Sequence, residues 1–234
     1  MAIFLDSGNV TEIEKYLKMG VIRGVTTNPT ILLKDGVTSG RKALKDRFIQ
    51  IAKMIAPYPL SVEVTTNDYQ GMITQARECA KWADNINVKI PIHGPDGEIE
   101  NLAAIRELTD RYKVQVNATA MMSAQQCLLA ALAGSTYVSL FGGRVNNMGY
   151  NCNDEIKKLR KVLDYHKLPA KIIIGSTREV LNVIEWLDAG ADIVTVVPDI
   201  LRGMIVHPYS KETVQMFLSD AAKTEKLLSR SRQG

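Results

Sequence analysis

The stretch Asp84–Pro91, Asp-Asn-Ile-Asn-Val-Lys-Ile-Pro, is the part of the chain around which the rest is organised. Its alternation predicts a β-strand, with the isoleucine and valine side chains on one face and Asn87 and Lys89 on the other. If the apolar face packs against helices, Lys89 points into the space that the strands enclose. An amine removed from water favours its neutral, nucleophilic form, which a Schiff base with a carbonyl substrate requires. The alternative, for this strand alone, is a lysine whose ammonium group reaches solvent at the strand end.

Seven further segments show strand patterns, and helical patterns separate them. The eight strands are predicted at 3–7, 24–28, 60–65, 84–91, 113–119, 137–141, 171–176 and 192–197. Strict alternation with short loops indicates parallel strands joined by crossover helices. Eight such units predict an α/β fold, a single-domain (β/α)8 TIM barrel over residues 1–234, with an extra C-terminal helix at about 211–228. An open doubly wound sheet is the alternative, but no G-x-G-x-x-G motif follows any predicted strand.

Composition indicates an ordinary globular protein, with 46% hydrophobic and 23% charged residues and a mild net charge of +4. No segment approaches the roughly 18 consecutive apolar residues of a membrane span, and the N-terminus lacks a signal-peptide pattern. The basic run at 157–161 predicts a solvated helix face rather than a nucleic-acid site, because aromatic residues are sparse. Cys79, Cys127 and Cys152 are odd in number and far apart, which fits reduced thiols in a cytoplasmic protein.

Polar residues recur where the predicted strands end. They are Asp6, Asn28, Glu63, Lys89, Asn117, Thr119, Ser139, Ser176 and Arg178. A barrel of this type places its chemistry at the C-terminal ends of its strands. So many polar groups would be costly in an apolar interior, so the sequence predicts a polar cavity at this end.

Six motifs, in this order, resemble the transaldolase family. They are Ile-Phe-Leu-Asp at 3–6, Gly-Val-Thr-Thr-Asn-Pro at 24–29, Asn-Val-Lys-Ile-Pro at 87–91, Asn-Ala-Thr at 117–119, Ser-Leu-Phe-Gly-Gly-Arg at 139–144 and Gly-Ser-Thr-Arg at 175–178. The resemblance extends over essentially the whole chain, and the small-subunit branch, which includes fructose-6-phosphate aldolases, is nearest in length. It implies a class I Schiff-base enzyme that uses no metal and no cofactor. Such an enzyme moves a dihydroxyacetone unit from a ketose phosphate to an aldose phosphate.

The resemblance also implies a role for each matching residue. Lys89 would form the Schiff base, and Asp6 would take the proton of the C4 hydroxyl when the C3–C4 bond breaks. Glu63 and Thr119 would hold the water that carries protons during imine formation and hydrolysis. The substrate-binding residues implied are Thr27, Asn28, Asn117, Ser139, Phe141, Arg144, Ser176 and Arg178. Of these, Arg144, Ser176 and Arg178 would hold the terminal phosphate, and two guanidiniums with a hydroxyl suit a dianion.

Two positions bear on the reaction type. As the resemblance implies, aldolases of the small-subunit branch tend to carry glutamine at the position of Glu63 and tyrosine at the position of Phe141. A carboxylate accepts and returns protons, whereas an amide does not, which favours transfer over release of free dihydroxyacetone. The sequence departs from the usual motifs of the family at Leu140, at Gly142 and in the run at 6–9. Because of these departures, both fructose 6-phosphate and 6-deoxy-6-sulfofructose stay open as the donor. The acceptor would be glyceraldehyde 3-phosphate or erythrose 4-phosphate.

Two alternatives to a transaldolase stay open. One is an aldolase with the same imine chemistry that releases free dihydroxyacetone. The other is a non-catalytic barrel that binds sugar phosphates, supported only by the arginine pair. The terminal helix is apolar on more than one side, so it either caps its own barrel or docks on a neighbouring subunit. The resemblance implies a homo-oligomer.

Overall fold

Eight parallel strands close into one barrel in the computed structural model, which describes residues 2–36 and 40–230. The strands are β1 (Ile3–Asp6), β2 (Val25–Thr26), β3 (Leu60–Glu63), β4 (Ile86–Pro91), β5 (Val116–Met121), β6 (Tyr137–Phe141), β7 (Lys171–Gly175) and β8 (Ile193–Val196). Each strand pairs with the next in sequence, and β1 closes the ring by pairing with β8. The predicted TIM barrel is therefore confirmed.

Helices connect the strands on the outside. They are α1 (Val10–Lys18), α2 (Pro29–Lys34), α3 (Gly40–Ile55), α4 (Tyr69–Ala80), α5 (Asn101–Asp110), α6 (Ala124–Leu132), α7 (Gly142–Asn147), α8 (Cys152–Tyr165), α9 (Val180–Asp188), α10 (Pro198–Ile205) and α11 (Pro208–Arg230). Asparagine, aspartate or serine side chains cap five of these helices by accepting backbone N–H bonds at their first turns. In the described part of the chain, no helix combines the length and apolar character that crossing a membrane requires.

The structure differs from the sequence-based expectations at several elements, and β5 begins at Val116 rather than at 113. The helix α7 was not predicted, and it begins immediately after β6 at two glycines. The helix α8 begins at Cys152, where the side chain of Asn151 caps it. The terminal helix α11 begins at Pro208, three residues before the predicted start, since proline is well suited to a first helical position.

Two apolar regions support the barrel. The larger one lies between the strands and the helices, and it includes Leu5, Val88 and Trp186. The smaller one, the interior plug, consists of Phe4, Tyr137, Ile173 and Ile193. Two positions after each residue of the plug stands a residue that lines the polar end of the barrel, so the plug shares the inward face one layer deeper; these residues are Asp6, Ser139, Gly175 and Thr195. The interior plug thus closes the barrel beneath the polar residues.

Candidate active site

A cavity of about 640 Å³ lies at the C-terminal ends of the strands. Ten of the twelve site residues proposed from the sequence line it: Asp6, Asn28, Glu63, Lys89, Thr119, Ser139, Phe141, Arg144, Ser176 and Arg178. The strand ends of the barrel bring these residues together from positions spread over most of the chain. Thr27 and Asn117 do not line the cavity, although both contact residues in the layer around it.

Lys89 is buried, and two partners hold its ammonium group. Nζ lies 2.8 Å from Oε2 of Glu63 and donates a hydrogen bond of 2.9 Å to the carbonyl oxygen of Thr27. The register of β3 and β4 pairs Glu63 with Lys89, which explains the contact. The side chain of Lys89 is only 6% exposed, against 19% for that of Glu63. The carboxylate of Glu63 is therefore placed to accept a proton from Lys89, a transfer that any attack of this amine on a carbonyl would require.

Asp6 ends β1 at the edge of the cavity. Its Oδ1 accepts a hydrogen bond of 2.7 Å from Oγ1 of Thr26, and that hydroxyl lies 2.6 Å from Oγ1 of Thr195. Burial raises the pKa of Asp6, while the positive charge of Lys89 and the Thr26 hydrogen bond partly oppose the rise. A carboxyl with a raised pKa is better suited to exchange a proton with substrate near neutral pH.

A hydrogen-bonded layer lies around Asn117 within the barrel. Its Nδ2 donates to Oγ of Ser61 at 3.1 Å, and its Oδ1 accepts from Oγ of Ser139 at 2.7 Å. Thr27 reaches the same layer, because its hydroxyl donates to the carbonyl oxygen of Ser61 at 2.8 Å. Asn117 and Thr27 thus fix the orientation of Ser139 and Lys89, which do line the cavity.

Thr119 presents a hydroxyl to the cavity without a fixed partner. Its Oγ1 is buried and has no hydrogen-bond partner among residues 2–36 and 40–230. The strand is irregular here, because the register between β5 and β6 shifts between Ala118 and Met121, and Ala120 has a φ of 61°. A left-handed backbone at alanine is strained, and such strain often occurs at functional sites. The Thr119 hydroxyl therefore keeps its capacity to donate and to accept a hydrogen bond.

Asn28 both caps a helix and lines the cavity. Its Oδ1 accepts a hydrogen bond of 2.9 Å from the backbone N–H of Ile31 and so caps α2. The helix α2 then forms one wall of the cavity through Pro29, Thr30 and Lys34. The amide nitrogen of Asn28 is the part of that side chain left for a substrate hydroxyl.

Two arginines, Arg144 and Arg178, line another part of the cavity. A Cβ added at Gly143 would collide with the carbonyl oxygen of Ser176 and lie 2.8 Å from Cγ of Arg178. Only glycine allows this approach, and it brings Arg144 next to Ser176 and Arg178. Neither arginine forms an ion pair with a carboxylate in the described ranges, and Arg144 lies 5.4 Å from the ring centre of Phe141. This arginine pair is suited to an anionic group on the substrate.

Sequence reasoning missed ten of the twenty residues of the cavity lining, among them Thr26, Lys34, Ala120 and Thr195. Thr26 lies two positions before Asn28, so the alternation of β2 could have revealed it. Thr195 could also have been found, because it is the one polar residue among the apolar side chains of β8. No pattern in the sequence indicates that Lys34 faces the cavity, since that depends on how α2 packs.

The cysteines lie outside the cavity lining, and all three are buried thiols. Burial raises the pKa of Cys79 and of Cys152 to about 12. Thiols of this kind are poor nucleophiles. Within the described ranges, no group of three or more histidine, cysteine, aspartate or glutamate residues could hold a metal ion.

Comparisons with a family model and with curated relatives agree with each other. Residues 3–233 match the family described as Transaldolase/Fructose-6-phosphate aldolase. A "Probable transaldolase" of Carboxydothermus hydrogenoformans is 38% identical over 220 residues, which cover 94% of this chain and 97% of the relative. A "Probable transaldolase" of Desulforapulum autotrophicum is 35% identical over 225 residues, covering 96% and 99% of the two chains. Among solved structures, "a putative phosphonomutase from Burkholderia cenocepacia J2315" has a TM-score of 0.59 at 14% identity, covering 96% of this chain and 92% of that one, a likeness of fold alone.

Proposed function

The chain belongs to the transaldolase/fructose-6-phosphate aldolase family, and on this premise we propose that it is a Schiff-base transaldolase acting on a ketose with an anionic group at C6. The contact between Lys89 and Glu63 carries the proposal, because it places a buried amine beside a proton acceptor within a polar cavity. The donor is fructose 6-phosphate or 6-deoxy-6-sulfofructose. The acceptor is an aldose phosphate such as glyceraldehyde 3-phosphate or erythrose 4-phosphate.

The first half of the reaction joins the donor to the enzyme. The ammonium group of Lys89 gives a proton to Glu63, and the neutral amine attacks the C2 carbonyl of the ketose. The resulting carbinolamine loses water to become an imine. Glu63 returns the proton to the departing hydroxyl through a water that Glu63 and Thr119 hold.

The second half breaks and remakes a carbon–carbon bond. Asp6 takes the proton of the C4 hydroxyl, the C3–C4 bond breaks, and its electron pair moves toward the imine nitrogen. A three-carbon enamine then stays on Lys89 while the aldose fragment leaves. The acceptor aldehyde accepts the enamine carbon, Asp6 returns its proton to the new hydroxyl, and hydrolysis of the imine releases the new ketose.

The arginine pair supports a donor with an anionic group at C6, and both phosphate and sulfonate fit this description. Phosphate and sulfonate both present three oxygens that Arg144, Ser176 and Arg178 could bind. Sulfonate carries one negative charge where phosphate carries up to two, so the same residues would hold it less strongly.

A comparison of donors with and without acceptor tests the proposed function. Fructose 6-phosphate and 6-deoxy-6-sulfofructose are each incubated alone, with glyceraldehyde 3-phosphate and with erythrose 4-phosphate. We expect ketose consumption to depend on the acceptor, with little free dihydroxyacetone, because a carboxylate at position 63 favours completion of transfer. Chromatography of all sugars with time gives the product balance and identifies the preferred donor.

The variant Glu63→Gln serves as the matched control for this experiment. It keeps the size of the side chain but removes its ability to take a proton, so transfer should fall relative to release of dihydroxyacetone. Dihydroxyacetone released by the unaltered protein at the rate of ketose loss, without acceptor, would make the chain an aldolase. Binding of both ketoses without any turnover would favour a non-catalytic barrel.

The terminal helix supports a homo-oligomer as part of the proposed function. The side chains from Pro208 to Leu228 are exposed, so α11 does not cap its own barrel. Met216, Phe217 and Leu218 are each more than half exposed, which is unusual for consecutive large apolar residues in a monomer. Contact with another copy of the chain would cover them. A cytoplasmic location fits the three buried, reduced thiols, and it is part of the same proposal.

Charge on α11 should disrupt this assembly. In the double variant Phe217→Glu and Leu218→Glu, we expect light scattering after gel filtration to show a monomer at concentrations where the unaltered chain is an oligomer, because buried charges oppose association. The control is Lys211→Glu with Lys223→Glu, which alters charge on the same helix without touching its large apolar side chains. A monomeric unaltered chain, or an unchanged oligomer in the first variant, would contradict the prediction.

A further inference from the structure

The loop that follows Asp6 is held from two sides. The backbone N–H of Gly8 donates a hydrogen bond of 2.7 Å to Oδ2 of Asp35, which lies just past the end of α2. The carbonyl oxygen of Gly8 accepts a hydrogen bond of 3.0 Å from Nη1 of Arg47 on α3. Gly8 is only two residues from Asp6, so these bonds restrict where the Asp6 carboxyl can lie.

The same loop also packs against α2. A Cβ added at Gly8 would lie 2.9 Å from Cδ2 of Leu32, so the backbone of the loop is close to the helix. On another face, α2 supplies Thr30 and Lys34 to the wall of the cavity. Asp35 therefore connects a wall of the cavity to the segment that carries Asp6.

We propose that Asp35 is a positioning residue for Asp6, tying the loop after Asp6 to α2 and placing a second negative charge near the reacting carboxyl. The inference rests on the proposed function, in which Asp6 takes and returns the proton of the substrate hydroxyl. Asp35 itself does not line the cavity, so it acts through Gly8 and through its charge.

The proposal predicts a change in the pH dependence of donor cleavage, because the charge of Asp35 acts on Asp6. The charged groups that act on Asp6 are Lys89 on β4, Glu63 on β3 and Asp35 after α2, and the hydroxyl of Thr26 donates to it. The negative charges of Glu63 and Asp35 each add to the rise in the pKa of Asp6 that burial causes. Asp6 must be ionised to accept a proton during cleavage of the donor, so activity rises as pH increases through its pKa. Removal of the charge at position 35 should move this rise to lower pH.

Two substitutions separate the charge of Asp35 from its hydrogen bond. Asp35→Asn keeps an oxygen that can accept from Gly8, and we expect kcat/KM for donor cleavage to begin its rise at lower pH, with kcat above that rise nearly unchanged. Asp35→Ala removes the bond as well, and we expect kcat to fall about 10-fold to 100-fold, because a small displacement of a reacting group costs that much. Borohydride trapping of the donor on Lys89 should survive in both variants, since imine formation does not use Asp6.

The control is Asp46→Asn, which removes an exposed carboxylate from α3. A pH profile that is the same in Asp35→Asn, Asp46→Asn and the unaltered protein would overturn the charge effect. An unchanged kcat in Asp35→Ala would overturn the positioning effect. Lack of turnover by the unaltered protein would instead defeat the proposed function, so the two failures are distinguishable. If Asp35→Ala does not fold, Asp35→Asn still decides the charge effect.

Discussion

Replacement of Lys89 by methionine is expected to abolish transfer and the covalent trapping of substrate. Methionine has a similar length but no amine, so neither imine nor enamine can form. We expect kcat/KM to fall by at least about 10⁴-fold, or about 5.4 kcal/mol of transition-state stabilisation, as for other residues that form the covalent intermediate. The measurement combines a transfer assay with mass spectrometry after borohydride reduction in the presence of the ketose. A dihydroxyacetone adduct should be found on the unaltered protein and be missing from the variant.

Two further variants, Lys89→Arg and Lys171→Met, serve as controls for this result. Lys89→Met leaves the carboxylate of Glu63 without its partner, which destabilises a partly buried site. Lys89→Arg keeps a positive charge opposite Glu63 and lacks a nucleophilic amine, so it should also be inactive while closer to the original stability. Lys171→Met, at the exposed start of β7, should keep full activity and trapping. Equal trapping by Lys89→Met and the unaltered protein would show that another group forms the Schiff base.

Asp6→Asn is expected to separate imine formation from cleavage of the carbon–carbon bond. The amide can still accept the hydrogen bond from Thr26, but it cannot take the proton of the C4 hydroxyl. We expect cleavage of the ketose to slow by about 10²-fold to 10⁴-fold, the usual contribution of a general base. Borohydride should still trap the intact donor on Lys89 in this variant, and single-turnover kinetics can follow both steps.

The pH dependence of donor cleavage provides a second test of the role of Asp6. Because burial raises the pKa of Asp6, donor cleavage by the unaltered enzyme should lose activity at a higher pH than an ordinary aspartate would require. The residual activity of Asp6→Asn should lack this acidic loss. Asp188→Asn, at the exposed end of α9, is the matched control. Loss of trapping in Asp6→Asn, or cleavage at the original rate, would contradict the assignment of the base.

The barrel and ten of the residues that line its cavity could be predicted because they depend on local patterns. Alternation along β4 put Lys89 on the inward face, and the order of strands and helices indicated a closed parallel barrel, which the structure confirms. Polar residues at the strand ends then had to meet, because parallel strands end at the same rim.

Long-range packing determines the features that could not be predicted. Asp35 contacts Gly8 across 27 residues, and neither residue has a pattern that indicates the other. The contact of Lys89 with Glu63 depends on the register of two strands, which their separate sequences do not specify. The helix α7 was missed because two glycines are poor helix formers, and tertiary contact with the Ser176 loop overrides that preference.

The interior plug has a consequence for the order of events in catalysis. Phe4, Tyr137, Ile173 and Ile193 fill the barrel below Lys89, so ligands do not pass through the ring from one end to the other. In a transaldolase, the departing aldose and the incoming one would therefore share one entrance and occupy it in turn. The kinetics would be ping-pong, and the first product would compete with the second substrate for the covalently loaded form of the enzyme.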